Sequence, residues 1–289
     1  MKILITGTKG YIANNIEKTL KEKTTLYETM KLSIRKQIRI PKETDVIIHT
    51  AALVHKKENN YLESDYFQVN YDLTLQLAKT AKESGVNHFI FFSTMAVYGE
   101  QGHSLFDVVI NRSSPLRPIT YYGKSKLAAE NKLMSMQDDQ FIVSIIRPPM
   151  VYGPNCPGNY AILSKIAKIT PFFPSVKNQR SMIFIKNLTE FVYQLINNRD
   201  SGIFHPQDEE YIQTSEMVKK IGSIHNRKIF SNKLIGTMII KLLFKQKNIA
   251  KVFGSLTYDK ELSFYRDNSY QMYTFDEAIR ISELKNKRD

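Results

Sequence analysis

The N-terminal run Ile3-Leu4-Ile5-Thr6-Gly7-Thr8-Lys9-Gly10-Tyr11-Ile12-Ala13 constrains the fold more than any other stretch of the chain. A short apolar strand runs directly into one glycine, and a second glycine stands at the head of an amphipathic segment that reaches about Lys23. Gly7 permits a tight strand-to-helix turn, Gly10 lets the backbone approach a pyrophosphate, and the small Ala13 lets the helix pack close to the strand. The first helical turn, with Tyr11 and Ile12, then faces negative charge. A strand, turn and helix without a ligand would use the same residues, so the motif needs support from elsewhere in the chain.

That support begins with periodicity. Residues 3–5, 46–49, 89–92 and 142–146 are strand-like, with amphipathic stretches between them, and a more polar candidate lies at 27–34. Alternation of this kind predicts an α/β protein with a Rossmann-type doubly wound parallel sheet. After Gly153 the rhythm changes, as Pro154, Pro157, Gly158, Pro171 and Pro174 punctuate the chain. Residues 1–155 are therefore expected to form the dinucleotide-binding domain, with strands near 182–186 and 203–205 rejoining its sheet. Residues 156–289 are expected to form mainly a smaller mixed substrate lobe.

The end of the second strand chooses between dinucleotides, because an acid there bonds the ribose 2′-hydroxyl whereas an arginine accommodates a 2′-phosphate. Here the sequence reads Leu32-Ser33-Ile34-Arg35-Lys36, with no carboxylate. Arg35 therefore favours NADP(H) over NAD(H). Further along, Tyr122 and Lys126 stand four residues apart, which on a helix places them on one face. An ammonium there would lower the tyrosine pKa and make the phenol a proton donor or acceptor near neutral pH. A strand-end hydroxyl at Thr94 could bond the same substrate oxygen. Spacing alone is weak, since 16 tyrosines give about two such matches by chance.

Six segments together say more: Thr-Gly-x-x-Gly at 6–10, His49-Thr50-Ala51-Ala52, Val69-Asn70, Ser93-Thr94-Met95-Ala96-Val97-Tyr98-Gly99, the Tyr122/Lys126 pair, and Arg147-Pro148-Pro149-Met150-Val151-Tyr152-Gly153-Pro154. Their order and spacing resemble those of extended short-chain dehydrogenases, the NAD-dependent epimerase/dehydratase family. The resemblance is nearest to the 4-ketoreductases of nucleotide-activated amino sugars in bacterial capsule synthesis. His49 to His55, Cys156-Pro157-Gly158-Asn159 and His205-Pro206-Gln207-Asp208 support the narrower match. It implies that Ala51, Ala52 and Leu53 line the cofactor path and that Thr94 joins Tyr122 and Lys126 as catalytic residues. The backbone from Pro148 to Val151 would face the nicotinamide. His55 and Asn159 would lie toward the sugar, and Arg180 would clamp the substrate diphosphate. The expected reaction is NAD(P)H-dependent reduction of a nucleotide-linked 4-keto-6-deoxy sugar for capsule or surface polysaccharide. A nucleotide-sugar 4-epimerase is the alternative, and a non-catalytic dinucleotide-sensing regulator the next. The dehydratases of the family carry an Asp-Glu pair where this chain has Met95 and Ala96, which cannot move protons, so elimination of water is disfavoured.

Composition narrows the partners. The formal charge of +13 attracts anionic molecules of every size, but the basic residues are scattered without finger or RNP-like patterns, so nucleic acid is not expected. The lone cysteine, Cys156, excludes an internal disulfide, and a packed thiol is favoured over a nucleophile. No metal set is expected. The N-terminal apolar run is too short for a signal-peptide core and the stretch 234–244 too short to span a bilayer, which favours a cytoplasmic setting. Met238 and Leu242 with Lys233, Lys241, Lys245 and Lys247 leave peripheral membrane contact open, although a buried helix is the favoured reading. A homodimer also remains open.

Overall fold

The structure is a computed structural model, and it describes residues 1–34, 38–54, 61–100, 102, 107–232, 234, 236, 238 and 252–284. The apolar runs seen in the sequence become strands buried on both faces, as parallel sheets require. They are β1 (Lys2–Thr6), β3 (Thr44–His49), β4 (His88–Phe92) and β6 (Ile142–Ile146). The polar candidate forms β2 (Glu28–Leu32), whose partly exposed pattern suits the sheet edge it occupies. With β9 (Gly202–Phe204) these strands make a six-stranded sheet in the order β2-β1-β3-β4-β6-β9, and every pairing is parallel. This is the doubly wound α/β architecture expected from the alternation. The order reverses between β1 and β3, and ligands of such sheets bind at the carboxyl ends of the strands beside that reversal.

Helices α1 (Tyr11–Lys23), α2 (Glu63–Phe67), α3 (Leu73–Glu83) and α4 (Tyr121–Met134) connect these strands. A π-helical turn, Gln68–Asp72, joins α2 to α3. Leu4, Ile47 and Phe89 of the sheet share one buried cluster with Leu77 of α3 and Leu133 of α4.

The chain divides into two compact units. The first comprises Met1–Gly99, Pro115–Pro148 and Thr189–His205, and contains the six-stranded sheet. The second comprises Glu100–Ser114, Pro149–Leu188 and Pro206–Asp289. Within it, β5 (Val108–Ile110) pairs with β10 (Leu256–Tyr258), and β7 (Met150–Tyr152) pairs with β8 (Met182–Phe184). Strand β8 thus departs from the expectation that 182–186 rejoins the main sheet. The residues leading into it are already paired, Arg180 with Ile212 and Ser181 with Leu256, which commits the strand to its own unit. The second unit includes helices α5 (Asn159–Ile169), α7 (Thr214–Ile224), α8 (Lys260–Ser263) and α9 (Phe275–Leu284), and α6 (Ile185–Asn198) leads to β9.

Candidate functional site

The turn after β1 is built by its neighbours. Thr6 Oγ1 and His49 Nδ1 share a hydrogen bond of 2.7 Å, and His49 Nε2 and Thr74 Oγ1 one of 2.9 Å. Burial holds the His49 imidazole well below the usual histidine range, assisted by the Lys126 charge, so the ring is a neutral strut. Thr50 Oγ1 donates to the Thr6 carbonyl at 2.7 Å, and the Ala51 amide donates to Thr6 Oγ1 at 3.2 Å. Gly7 sits at φ +82°, and a Cβ there would lie 2.7 Å from Thr50 Oγ1, so the position admits only glycine without strain.

Gly10 caps α1 with its backbone. No side chain caps the helix and its first turn holds no acid. The amides of Tyr11, Ile12 and Ala13 have no intrahelical acceptor by helix geometry, and an uncapped, acid-free N-terminus suits a phosphate group. These residues fit the dinucleotide that the sequence implies. The Ala51–Leu53 loop is pinned by Asn70, which lies in the π turn and is fully buried. Its Oδ1 accepts from the Leu53 amide at 2.7 Å, while Nδ2 donates to the Leu53 carbonyl and to Ser125 Oγ, each at 3.1 Å.

Thr120 accepts from the Gly123 amide at 3.0 Å and so starts α4. Tyr122 and Lys126 then point inward together, 9% and 1% exposed. The Tyr122 hydroxyl is hydrogen-bonded to the Thr94 side chain, which brings the expected threonine, tyrosine and lysine to one place in the first unit. Thr94 also accepts from the Ala96 amide at 3.1 Å, which orients its hydroxyl at the end of β4. Lys126 Nζ donates to the Phe92 carbonyl at 2.7 Å and lies 4.3 Å from the Phe91 ring centre.

The electrostatics correct one expectation. Burial pushes the Tyr122 phenol up to about 12, offset only in part by Thr94, and no lowering by Lys126 enters. Burial also pulls Lys126 down to about 7. Enclosure penalises both charged forms, and the ammonium is directed at a carbonyl and a ring rather than at the phenol. Spacing in the sequence carried no information about that desolvation.

The remaining expected residues are dispersed. Pro148 is buried, and its carbonyl accepts from the Met95 amide at 3.2 Å. Val151 lies in β7, and Asn159 is exposed at the start of α5. Arg180 Nη1 donates to the Gly254 carbonyl at 2.8 Å, and burial pulls its guanidinium down to about 10. Cys156 is buried, with its thiol against the Val151 carbonyl at 3.4 Å. Arg35 and His55 lie outside the described residues, as do Lys233, Lys241, Leu242, Lys245 and Lys247. No helix among the described residues is long and apolar enough to cross a membrane.

Sequence reasoning gave no role to Asn70, to Glu130 or to the Arg147 side chain, though Asn70 and Arg147 lay inside quoted motifs. A glutamate four residues after Lys126, on the same helical face, was the available signal for the second.

The sheet order, the uncapped helix after a glycine turn and the enclosed tyrosine–lysine pair define a dinucleotide-binding α/β protein of Rossmann type. The sequence profile described as the NAD dependent epimerase/dehydratase family matches residues 3–205, and the chain belongs to that family. A UDP-glucose 4-epimerase of Vibrio cholerae is 29% identical over 290 residues, covering 89% of this chain and 87% of the relative. A GDP-6-deoxy-D-talose 4-dehydrogenase of Aggregatibacter actinomycetemcomitans is 27% identical over 218 residues, covering 68% of this chain and 70% of the relative. Among solved structures, the UDP-glucuronic acid 4-epimerase of Bacillus cereus in complex with NAD is similar in fold, with a TM-score of 0.74 at 17% identity over 100% of this chain and 99% of that one.

Proposed function

We propose that the chain is an NAD(P)-dependent 4-epimerase of a nucleotide-linked sugar. The observation that carries this reading is the near end-to-end match to a UDP-glucose 4-epimerase, covering 89% of this chain and 87% of the relative. It moves epimerisation ahead of the net reduction expected from the sequence. The reductase is the second reading, supported by the match to a sugar 4-dehydrogenase over 68% of this chain. Met95 and Ala96 in the turn after Thr94 continue to argue against a dehydratase, because neither side chain moves a proton.

In this reading Gly7, Gly10, Tyr11 and Ile12 hold the pyrophosphate, Ala51, Ala52 and Leu53 line the path, and Pro148 and Val151 border the nicotinamide. A nicotinamide bound there supplies a hydride acceptor and, in turn, a donor. Tyr122 takes the proton from the sugar 4-hydroxyl as C4 is oxidised, and returns it to the same oxygen once the other face of the 4-keto sugar is presented. Thr94 holds that oxygen through its hydroxyl. Lys126 places positive charge beside the reacting group, where it acts on the negative charge that develops as the proton moves rather than on the resting phenol. Arg180, desolvated and bonded to a backbone carbonyl, is the proposed diphosphate ligand, and Asn159 and His55 are proposed on the sugar side. Arg35 is proposed to favour NADP(H).

The test is to incubate the chain with UDP-glucose, then UDP-N-acetylglucosamine, with catalytic NAD(P), and to follow the C4 epimer by NMR. Epimer should accumulate without net cofactor reduction. If no epimer forms and a UDP-4-keto-6-deoxy sugar is reduced with one NAD(P)H consumed per product, the reductase reading replaces it. Cofactor binding without turnover of any sugar would leave the dinucleotide-sensing regulator.

A further inference from the structure

Glu130 lies one helical turn beyond Lys126 on α4, and both are 1% exposed. The reaction proposed above gives it no part, and carboxylates are seldom sealed from water unless paired. Its pairing is specific. Arg147 Nε reaches Glu130 Oε1 at 3.1 Å and Oε2 at 3.2 Å, and Nη2 reaches Oε2 at 2.6 Å. Arg147 Nη1 donates to the Tyr98 hydroxyl at 2.8 Å, which in turn shares a 2.8 Å hydrogen bond with His205 Nε2. A carboxylate gripped by a guanidinium fork holds one orientation.

The groups around Lys126 come from every neighbouring element. They are Tyr122 and Glu130 on α4, His49 on β3, and the Phe92 carbonyl and Phe91 ring on β4, with Arg147 at the end of β6 reaching them through Glu130. His49 is neutral, the phenol is protonated, and Arg147 carries positive charge. Among the described residues Glu130 is the acid whose charge acts on Lys126.

We infer that Glu130, fixed in place by Arg147, is a positioning residue that keeps Lys126 cationic in an enclosure that would otherwise neutralise it, and thereby sets the alkaline limit of the enzyme's working range. The inference rests on the reading of Tyr122 and Lys126 as the catalytic pair. Burial is the larger influence on Lys126 and draws it down to about 7, and Glu130 is what opposes it. An uncharged amine would no longer stabilise the negative charge that develops as the proton moves.

The experiment is the pH–rate profile of kcat for the full chain and three variants. In Glu130→Gln the alkaline limb should move toward acid by about 1 unit or more, with kcat recovering as the pH is lowered. Arg147→Met strips the buried Glu130 of its ion-pair partner, so the carboxylate takes up a proton and the limb should move the same way. Because Glu130→Gln leaves a buried guanidinium short of a partner and could fail to fold, Glu130→Gln/Arg147→Met is also compared with the wild-type chain. The same acidward shift of about 1 unit is expected between those two. If kcat falls by a constant factor at every pH with no movement of the limb in either comparison, Glu130 is only a structural ion-pair partner and the inference is overturned. Tyr122→Phe is measured in parallel. An active Tyr122→Phe overturns the reading of the site itself, and the inference with it, whereas an inactive one with unmoved limbs overturns the inference alone.

Discussion

Replacing Tyr122 with phenylalanine separates chemistry from architecture. The Tyr122 ring packs with Leu53 and Tyr66, with Ala52, Val69 and Ala96 around it, and phenylalanine keeps those contacts. What is lost is one hydroxyl and its bond to Thr94. A net hydrogen bond is worth about 0.5–1.5 kcal/mol, so stability should change by no more than that. General acid–base catalysis contributes about 10² to 10⁴ in rate, or roughly 2.7–5.4 kcal/mol of barrier. The activity loss therefore exceeds anything unfolding could cause. Tyr121 is the internal control, since it is half-buried, rests on the Tyr66 ring at 6.3 Å and has the Lys124 ammonium 5.7 Å from its ring centre. Tyr121→Phe should lose less than about tenfold. Steady-state turnover, denaturant unfolding and cofactor titration on both variants make the comparison. A Tyr122→Phe enzyme near wild-type rate beside a dead Tyr121→Phe would refute the assignment of the proton-transfer group.

Gly7→Ala forces a side chain onto a backbone at φ +82° and against Thr50 Oγ1 at 2.7 Å; denaturant melts should show a loss of about 1–3 kcal/mol, and unchanged stability with unchanged cofactor binding would remove this turn from the site. Asp208 accepts from Tyr152 Oη at 2.7 Å, Asn187 Nδ2 at 2.8 Å and the Phe184 amide at 3.1 Å. Asp208→Ala strands these donors and should cost about 3–5 kcal/mol, read from the unfolding midpoint. Burial raises Asp208 from 3.8 to about 6, so the unfolded chain releases this proton before the folded chain does, and stability falls as pH rises through that window. Asp208→Asn should flatten that limb, and an unaltered slope would show that Asp208 does not titrate there. Arg35→Ala should weaken NADPH more than NADH in equilibrium titrations; equal loss for both would deny Arg35 any part in reading the 2′-phosphate.

The strands β1, β3, β4 and β6 were visible in the sequence because each is a continuous apolar run with its burial written into its composition. The Tyr122/Lys126 pair was visible for a similar reason, since helical spacing is local. Strand β8 was visible as a strand but not in its pairing, because three apolar residues do not name a partner and the pairing is settled by Ile212 and Leu256, far along the chain. Asn70 joins a loop 17 residues before it to a helix 55 residues after it, and no local pattern records such a bridge. The charge on Lys126 was misjudged for the same kind of reason, as it depends on how completely α4 is enclosed.

The π turn between α2 and α3 carries a further consequence. Such a turn holds one residue more than an α-helical turn would, so removing a single residue from Gln68–Asp72 would restore an unbroken helix. Local hydrogen bonding would improve and the flanking helices would stay nearly in phase, because the wide turn absorbs its extra residue, but the residues of the turn itself would be re-aimed. The Asn70 amide would swing away from Leu53 and Ser125, and the loop it anchors would lose its fixed path. A shorter chain with a more regular helix would thus be a worse ligand-binding protein, because the extra residue of this turn is what aims Asn70 at the loop it anchors.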